Sequence, residues 1–527
     1  MRLLLRGGTV VDSTGMRTAD VAVDGELITE IGEIAPGPDD RIIDCTGRYV
    51  LPGFIDAHSH ADGLLEDEAV QRALLKQGVT TVIAGQDGVS YAPGSGAYAS
   101  EYFAAINGPY PRYTGGGVAA YLAAADGRSR LNAAYLVPAG TVRWEVCGRS
   151  TAPADEEQRA AMAALVEEGL REGAVGMSTG LDYAPGIFAT TDEIAALCAP
   201  VAEAGGVYVT HMRGGYEANS AAGVDEIARI AEASGARVHI SHFHAQAHIV
   251  AEQLEALARA GVDATFDAYP YTRGCTLLAM PLLPPDLSLL PGEAIVEAIS
   301  DPVQRALLRR EWFPKVERNA SLGPEWPSMI TLAHIGAPEF AWAHGLTLEA
   351  AAARNGADGI DFALDVLAAS RLEVNAIMAV RHERPTSELA AIFSSPRHLG
   401  GSDGIFIGAH PHPRARGTFA RYLREFVRET PTWSWPEAAD HLATGPAARF
   451  GLARFGLGRR GRVAPGWVAD LIVVDPQTVA DTATYEEPLG EAVGIDDVLV
   501  AGRPVLARGA LVDGAPGRGL RREHLGE

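Results

Sequence analysis

Cysteine is scarce in this chain: Cys45, Cys147, Cys198 and Cys275 are the only four among 527 residues, and no two form a Cys-x-x-Cys pair. That excludes a disulfide scaffold and a cysteine zinc ribbon. Nowhere does the chain approach the roughly eighteen uninterrupted apolar residues of a membrane span. The apolar run in the opening Met-Arg-Leu-Leu-Leu-Arg-Gly-Gly is too short for a signal-peptide core. Positive charge is also in deficit, with 44 Lys and Arg against 67 Asp and Glu, a net charge of −23. A sequence-independent nucleic-acid binder needs a basic face to displace counterions, so nucleic acid is excluded as a partner. Together these absences describe a soluble, cytoplasmic protein with no membrane partner, kept in solution by its acidity.

What is present suffices for a large core: 47% of residues are hydrophobic and 21% charged. The 59 glycines and 32 prolines are spread along the chain, as suits many tight loops between regular elements. Residues 1–50 carry short β-like runs such as Leu3-Leu4-Leu5 and Val21-Ala22-Val23, and the same texture returns in 455–515, as in Leu471-Ile472-Val473-Val474. Neither end has enough strands to cover its own apolar face, which predicts one β-sandwich split between the two. From residue 51 to 272 short apolar runs alternate with helical stretches such as Glu156 to Arg171. Seven such runs, with an eighth around His398 to Gly401, predict an α/β fold: a TIM-like (β/α)8 barrel over 51–272 and 330–454. Residues 273–329, rich in proline and tryptophan, interrupt this rhythm after the seventh strand. The segment reads either as a surface insertion with a satellite cluster of its own or as a lid, because an insertion at that point emerges on the barrel's active face.

Polar residues fall at the ends of these runs. His58 and His60, spaced i, i+2, place both imidazoles on one face of an extended strand. His211 ends the fifth run, His242 the sixth, Asp87 follows the second and Asp403 the eighth. In a barrel these ends converge on one mouth, so residues far apart in the chain can share an ion. Neutral imidazoles suit zinc, with a carboxylate to balance charge and one position left for water. Such a site lowers the pKa of its water from 15.7 towards about 7. A carboxylate such as Asp403 then takes the water's proton and passes it to a leaving amine. The chemistry is metal-assisted hydrolysis of an amide or related bond. The remaining histidines, among them His239, His382 and His524, read as core or surface residues; His239 is placed on the strand face opposite His242.

These motifs resemble the amidohydrolase superfamily, and within it the N-acyl-D-amino-acid deacylases (D-aminoacylases), over nearly the whole chain. The resemblance rests on Leu51-Pro-Gly-Phe-Ile-Asp-Ala-His-Ser-His60, Gly173-Ala-Val-Gly-Met-Ser-Thr-Gly-Leu-Asp-Tyr-Ala-Pro-Gly186, Thr210-His-Met-Arg213 and Ile240-Ser-His242. It extends to Gly401-Ser-Asp-Gly404, His412-Pro-Arg414 with Gly417, and Ala469-Asp470-Leu471. It implies a barrel, a split sandwich, a mobile insertion, one or two zinc ions, and removal of an N-acyl group from a D-amino acid. By position, His211 and His242 would hold the tightly bound metal, His58 and His60 would line a second position, and Asp403 would be the general base. Tyr183, Arg213 and Tyr269 fall where the family lines its substrate pocket, with Arg381 and His412 as further candidates.

Two positions depart from the family. Asp87 stands where many members have a cysteine ligand, and this harder oxygen donor would alter metal affinity or choice. His244 stands where a lysine usually pairs with the substrate α-carboxylate, and a neutral imidazole holds a carboxylate less well. Either Arg213, Arg273 or Arg381 compensates, or the substrate is an N-acyl amine lacking that carboxylate. A cyclic amidase of the hydantoinase type would want a carboxylated lysine on the fourth strand, where this chain has none. A non-catalytic barrel would have no need of the full set of ligands. Acyl preference, metal count and oligomeric state are left open by the sequence.

Overall fold

Eight short runs of small and β-branched residues form one parallel sheet in chain order: Phe54–Asp56, Val79–Ala84, Asn132–Pro138, Gly176–Gly180, Val207–His211, Arg237–Ile240, Ala264–Asp267 and His398–Leu399. The computed structural model describes residues 2–319, 321–381, 383–454 and 458–522. The sheet curls until its last strand meets its first. Ala57 N–H donates to Gly400 O at 3.0 Å, Asp403 N–H to His58 O at 2.8 Å, and His60 N–H to Gly404 O at 3.1 Å. These are all eight expected strands, and the fold is the expected TIM-like barrel. Side chains that alternate inward fill its lower half, among them Ile55, Ile83, Leu136, Val175, Val209 and Leu399. A packed apolar floor leaves only the C-terminal strand ends free to carry polar groups.

Helices cover the outside as their sequences dictate. Glu156–Arg171 begins with a capping box, Asp155 accepting from the Gln158 N–H while Gln158 reaches back. The C-terminal tail passes beneath the barrel, with Ala133 N–H donating to Arg518 O and Leu520 N–H to Ala133 O. Leu520 thereby joins the interior core from below.

Both chain ends build the sandwich. Its four-stranded sheet comes from Leu3–Arg6, Asp20–Asp24, Leu27–Gly32 and Arg41–Asp44. In its seven-stranded sheet Tyr49–Pro52 pairs antiparallel with Leu471–Val474. Leu5, Val10, Val23, Val50, Leu471 and Leu499 meet between the two sheets. This is the joint construction that the two half-patterns required. The expected start of the second segment at Phe455 lies outside the described residues, as do His382 and His524.

The insertion extends further than the sequence suggested. Ile330–Ile335, just past the proline- and tryptophan-rich stretch, is a strand but not one of the barrel's. It pairs instead with Val374–Met378, which also pairs with Gly274–Leu277, in a separate three-stranded antiparallel sheet. Helices including Gly292–Ser300 and Gly359–Ala369 pack on it around Leu282, Ile299, Phe313, Leu332, Phe362 and Ala376. The excursion therefore runs from about residue 273 to Met378, with a core of its own, before the chain re-enters the barrel. Among the described residues no helix is long and apolar enough to cross a membrane, and the four cysteines are unpaired.

Candidate metal centre and active site

Strained backbone presents the polar residues at the barrel mouth. Asp87, His242 and Asp403 have φ of 54°, 34° and 48°, left-handed values that a side chain with a Cβ adopts at a cost. Asp87 lies between Gly85 and Gly88. A Cβ at Gly85 would come within 2.2 Å of Leu136 O, so only glycine lets the second strand turn inward there. Asp56, buried behind the site, accepts from the His58 N–H and from the Ser402 N–H and hydroxyl. That carboxylate locks the first strand end to the eighth, and so His58 to Asp403.

All six expected metal and catalytic residues come together. His58, His60, Asp87 and Asp403 form one group of donors, and Asp87, His211 and His242 a second; within each group the donor atoms lie within 4.8 Å of one another. Asp87 belongs to both. Its Oδ1 is 3.6 Å from His58 Nε2 and 3.7 Å from His242 Nε2, and its Oδ2 is 3.6 Å from His60 Nε2. His211 Nδ1 lies 3.2 Å from His242 Nε2. His58 Nε2 and Asp87 Oδ1 are buried without a hydrogen-bond partner among the described residues. Unpaired donors packed at this spacing fit a divalent cation, and a carboxylate shared by two groups fits a pair.

The electrostatics agree. Burial alone would lower the pKa of His60, but Asp403 and Asp87 outweigh it and hold it up at about 10. Burial would raise the Asp87 carboxyl, yet His58, His242 and His60 keep it well below the usual range. The Asp403 carboxyl is lowered too, against the effect of its burial, with Arg414 as the strongest opposing influence. Arg414 Nη1 lies 2.9 Å from Asp403 Oδ2 and its guanidinium stacks 4.5 Å from the Tyr269 ring centroid, with the side chain fully buried. Asp403 is thus held as a carboxylate.

A second layer aims the histidines. Asp182 Oδ2 takes His211 Nε2 at 3.2 Å and is itself fixed by the Gly214 and Gly215 N–H groups, each at 2.8 Å. Asn107 Oδ1 meets His60 Nδ1 at 2.9 Å. Asp267 Oδ2 lies 3.5 Å from His58 Nδ1 and 3.0 Å from His239 Nε2, while its Oδ1 accepts from the His242 N–H. Asp182 and Asn107 thereby keep a ring proton away from the atom facing the centre, while Asp267 stands beside His58 Nδ1 without a hydrogen bond to it. His239 is structural, as expected, but it reaches this interior carboxylate: the left-handed turn at His242 breaks the alternation that had set the two histidines on opposite faces.

Comparison with known proteins agrees with this geometry. A model of the amidohydrolase family matches residues 41–283 and 320–506. The chain belongs to the amidohydrolase family. An amidohydrolase relative, the D-aminoacylase of Alcaligenes xylosoxydans xylosoxydans, is 34% identical over 538 residues, covering 99% of this chain and 97% of the relative. The N-acyl-D-glutamate deacylase of the same organism is 31% identical over 531 residues, covering 99% and 96%. Among solved amidohydrolase structures, N-acyl-D-glutamate deacylase from Bordetella bronchiseptica, complexed with zinc and a phosphonate mimic of the tetrahedral intermediate, aligns with a TM-score of 0.81 at 30% identity. The match covers 99% of each chain.

The amidohydrolase centre opens into a cavity of about 980 Å³. The barrel contributes Asp182, Tyr183, His211, His242, His244, Tyr269 and Asp403 to its wall, and the insertion faces them with Pro285, Trp312, Leu322 and Met378. Tyr183, His244, Tyr269 and Arg381 border the cavity as expected. Arg213 does not: its guanidinium is taken up by Glu226 and by the carbonyls of Ile187 and Ala189. His412 is also set back, with Nε2 against Arg273 O at 2.9 Å and Nδ1 accepting from the Arg414 N–H at 3.0 Å. It shapes the turn that delivers Arg414. Asp267 and Asn107 carry no distinct signal in the motifs noted above, whereas Asp182 lies within the Gly173–Gly186 run and Arg414 within the His412-Pro-Arg414 run.

Proposed function

We propose that this amidohydrolase removes the acyl group from an N-acyl-D-amino acid, giving the D-amino acid and a carboxylate, with one or two zinc ions held by His58, His60, Asp87, His211 and His242. The observation that carries the reading is the pair of donor groups joined at Asp87, with Asp403 beside them at the floor of a cavity large enough for a small acyl amino acid. The relatives matched over the full length are named for this reaction. The bound ion supplies a Lewis acid and a water of lowered pKa.

The protein groups do the rest. Asp403, kept ionised by Arg414, accepts the proton of the attacking water and returns it to the amine nitrogen as the C–N bond breaks. Burial, and next the charge of Asp87, keep the Tyr183 phenol protonated far above its ordinary range. Its O–H, 3.3 Å from the Thr276 hydroxyl, is a hydrogen-bond donor for the polarised carbonyl oxygen. The insertion supplies the apolar wall that faces these groups across the cavity. The fourth barrel strand, Gly176–Gly180, carries no lysine, which argues against a cyclic-amide reaction through a carboxylated lysine. The experiment is a panel of N-acyl D-amino acids, their L counterparts and acyl amines without a carboxylate, assayed with and without chelator. D-selective, chelator-sensitive hydrolysis is expected; equal turnover of D and L acids would refute the reading.

A further inference from the structure

A second polar feature borders the cavity apart from the metal donors. Arg384 leaves only 3% of its side chain exposed, and its Nη1 pairs with Glu217. Its Nε and Nη2 are buried without a hydrogen-bond partner among the described residues. A guanidinium does not deprotonate in a protein, so these N–H groups remain costly until an acceptor meets them. His244 is in the same state, with neither Nδ1 nor Nε2 partnered. An imidazole, unlike a lysine, carries no fixed charge, and its protonated ring nitrogen offers an N–H.

Glu217 joins the two residues. Its N–H donates to His244 O at 2.9 Å while its carboxylate pairs with Arg384, and its own φ is 58°. Tyr269 completes the wall, its ring set edge-on to His244 at 4.3 Å between centroids. The other cations named by the sequence are otherwise engaged. Arg381 is 43% exposed and lies 3.8 Å from Glu325. Arg213 is committed to Glu226, and Arg273 stacks on Tyr485.

We propose that Arg384, with His244 and Tyr269, forms a carboxylate-binding subsite, and that Arg384 supplies there the positive charge that position 244 lacks. The ligand is an organic carboxylate: resting on the proposed deacylase reading, the α-carboxylate of the N-acyl amino acid. A guanidinium with its Nε–H and an Nη2–H free along one edge matches a carboxylate in a fork, and an N–H of His244 and the O–H of Tyr269 add further donors. The geometry thereby favours the acidic substrate over the carboxylate-free amine that His244 alone would suggest.

The test compares one N-acyl-D-amino acid with its α-carboxamide, identical except for the charge. In Arg384→Gln, and in Arg384→Met as a second replacement of similar length, the ratio of kcat/KM for acid over carboxamide falls about 10- to 100-fold, chiefly through KM for the acid. Adding His244→Lys to either variant raises that ratio again by returning a cation to the wall. Metal content and thermal melting, recorded on each variant, separate a misfolded protein from a changed preference. A wild type that prefers the acid, with both folded Arg384 variants keeping that preference, overturns the subsite. A wild type that hydrolyses neither compound overturns the deacylase reading instead.

Discussion

Replacing Asp182 by asparagine removes one charge and almost no volume, yet it should loosen the metal centre. Both carboxylate oxygens are in use: Oδ1 accepts from the Gly214 N–H, and Oδ2 from the Gly215 N–H while facing His211 Nε2. An asparagine has only one acceptor oxygen for these positions. If its amide nitrogen faces His211, it donates to Nε2 and forces the ring proton onto Nδ1, the atom that looks toward His242 and Asp87. If the amide is reversed, the Gly214 N–H loses its acceptor and the loop holding His211 relaxes. Losing such a partner to a ligating histidine typically weakens metal binding about 10- to 100-fold, or ~1.4–2.7 kcal/mol. Titration of zinc into chelator-stripped protein, against a competing chelator, measures this directly, with circular dichroism to show the fold intact. A folded Asp182→Asn protein that binds zinc as tightly as the wild type would refute the assignment of Nδ1 as the ligating atom.

Other consequences are equally concrete. Asp87→Asn should weaken both donor groups at once, lowering the metal retained per chain under fixed dialysis conditions; unchanged retention would contradict the shared-carboxylate geometry. Gly85→Ala places a Cβ 2.2 Å from Leu136 O at a φ of 78°. It should cost about 2–5 kcal/mol from strain and overpacking together, read as a lowered Tm. His398 is buried, and that burial, then His441, holds its pKa down at about 3. The unfolded chain, with a histidine near 6.5, binds more protons below that pH. Stability contributed by neutral His398 is therefore present above about 6.5 and declines as pH falls towards 3. Thermal melts from pH 8 to pH 4 should show that decline, and a folded His398→Asn protein with an identical pH slope would remove His398 as its source.

The barrel and its mouth were legible because both are written locally. Apolar runs ending in His58, His60, Asp87, His211, His242 and Asp403 state strand and site together, since a barrel brings all its C-terminal strand ends to one place. The extent of the insertion was not legible. Ile330–Ile335 has the pattern of a barrel strand, and only its partner, Val374–Met378, shows otherwise; pairing is a property of two segments, not one. The roles of Asp182, Asp267 and Asn107 were hidden for a related reason. They act on rings 29, 209 and 47 residues away, and an aspartate near a loop looks the same in sequence whether it caps a turn or orients a ligand. Arg384 was passed over for the nearby Arg381, because burial and the lack of partners, which set the two apart, appear only in three dimensions.

In the proposed reaction Asp403 serves as the proton carrier beside the metal donors. The most direct measurement records turnover of an N-acyl-D-amino acid and bound zinc on the same preparation of Asp403→Asn. The variant keeps the shape of the side chain and the five other donors, but its amide cannot accept the water's proton. Zinc should remain bound while kcat falls by about 10²–10⁴-fold, the usual contribution of a general base. A zinc-loaded Asp403→Asn enzyme turning over at the wild-type rate would contradict the account.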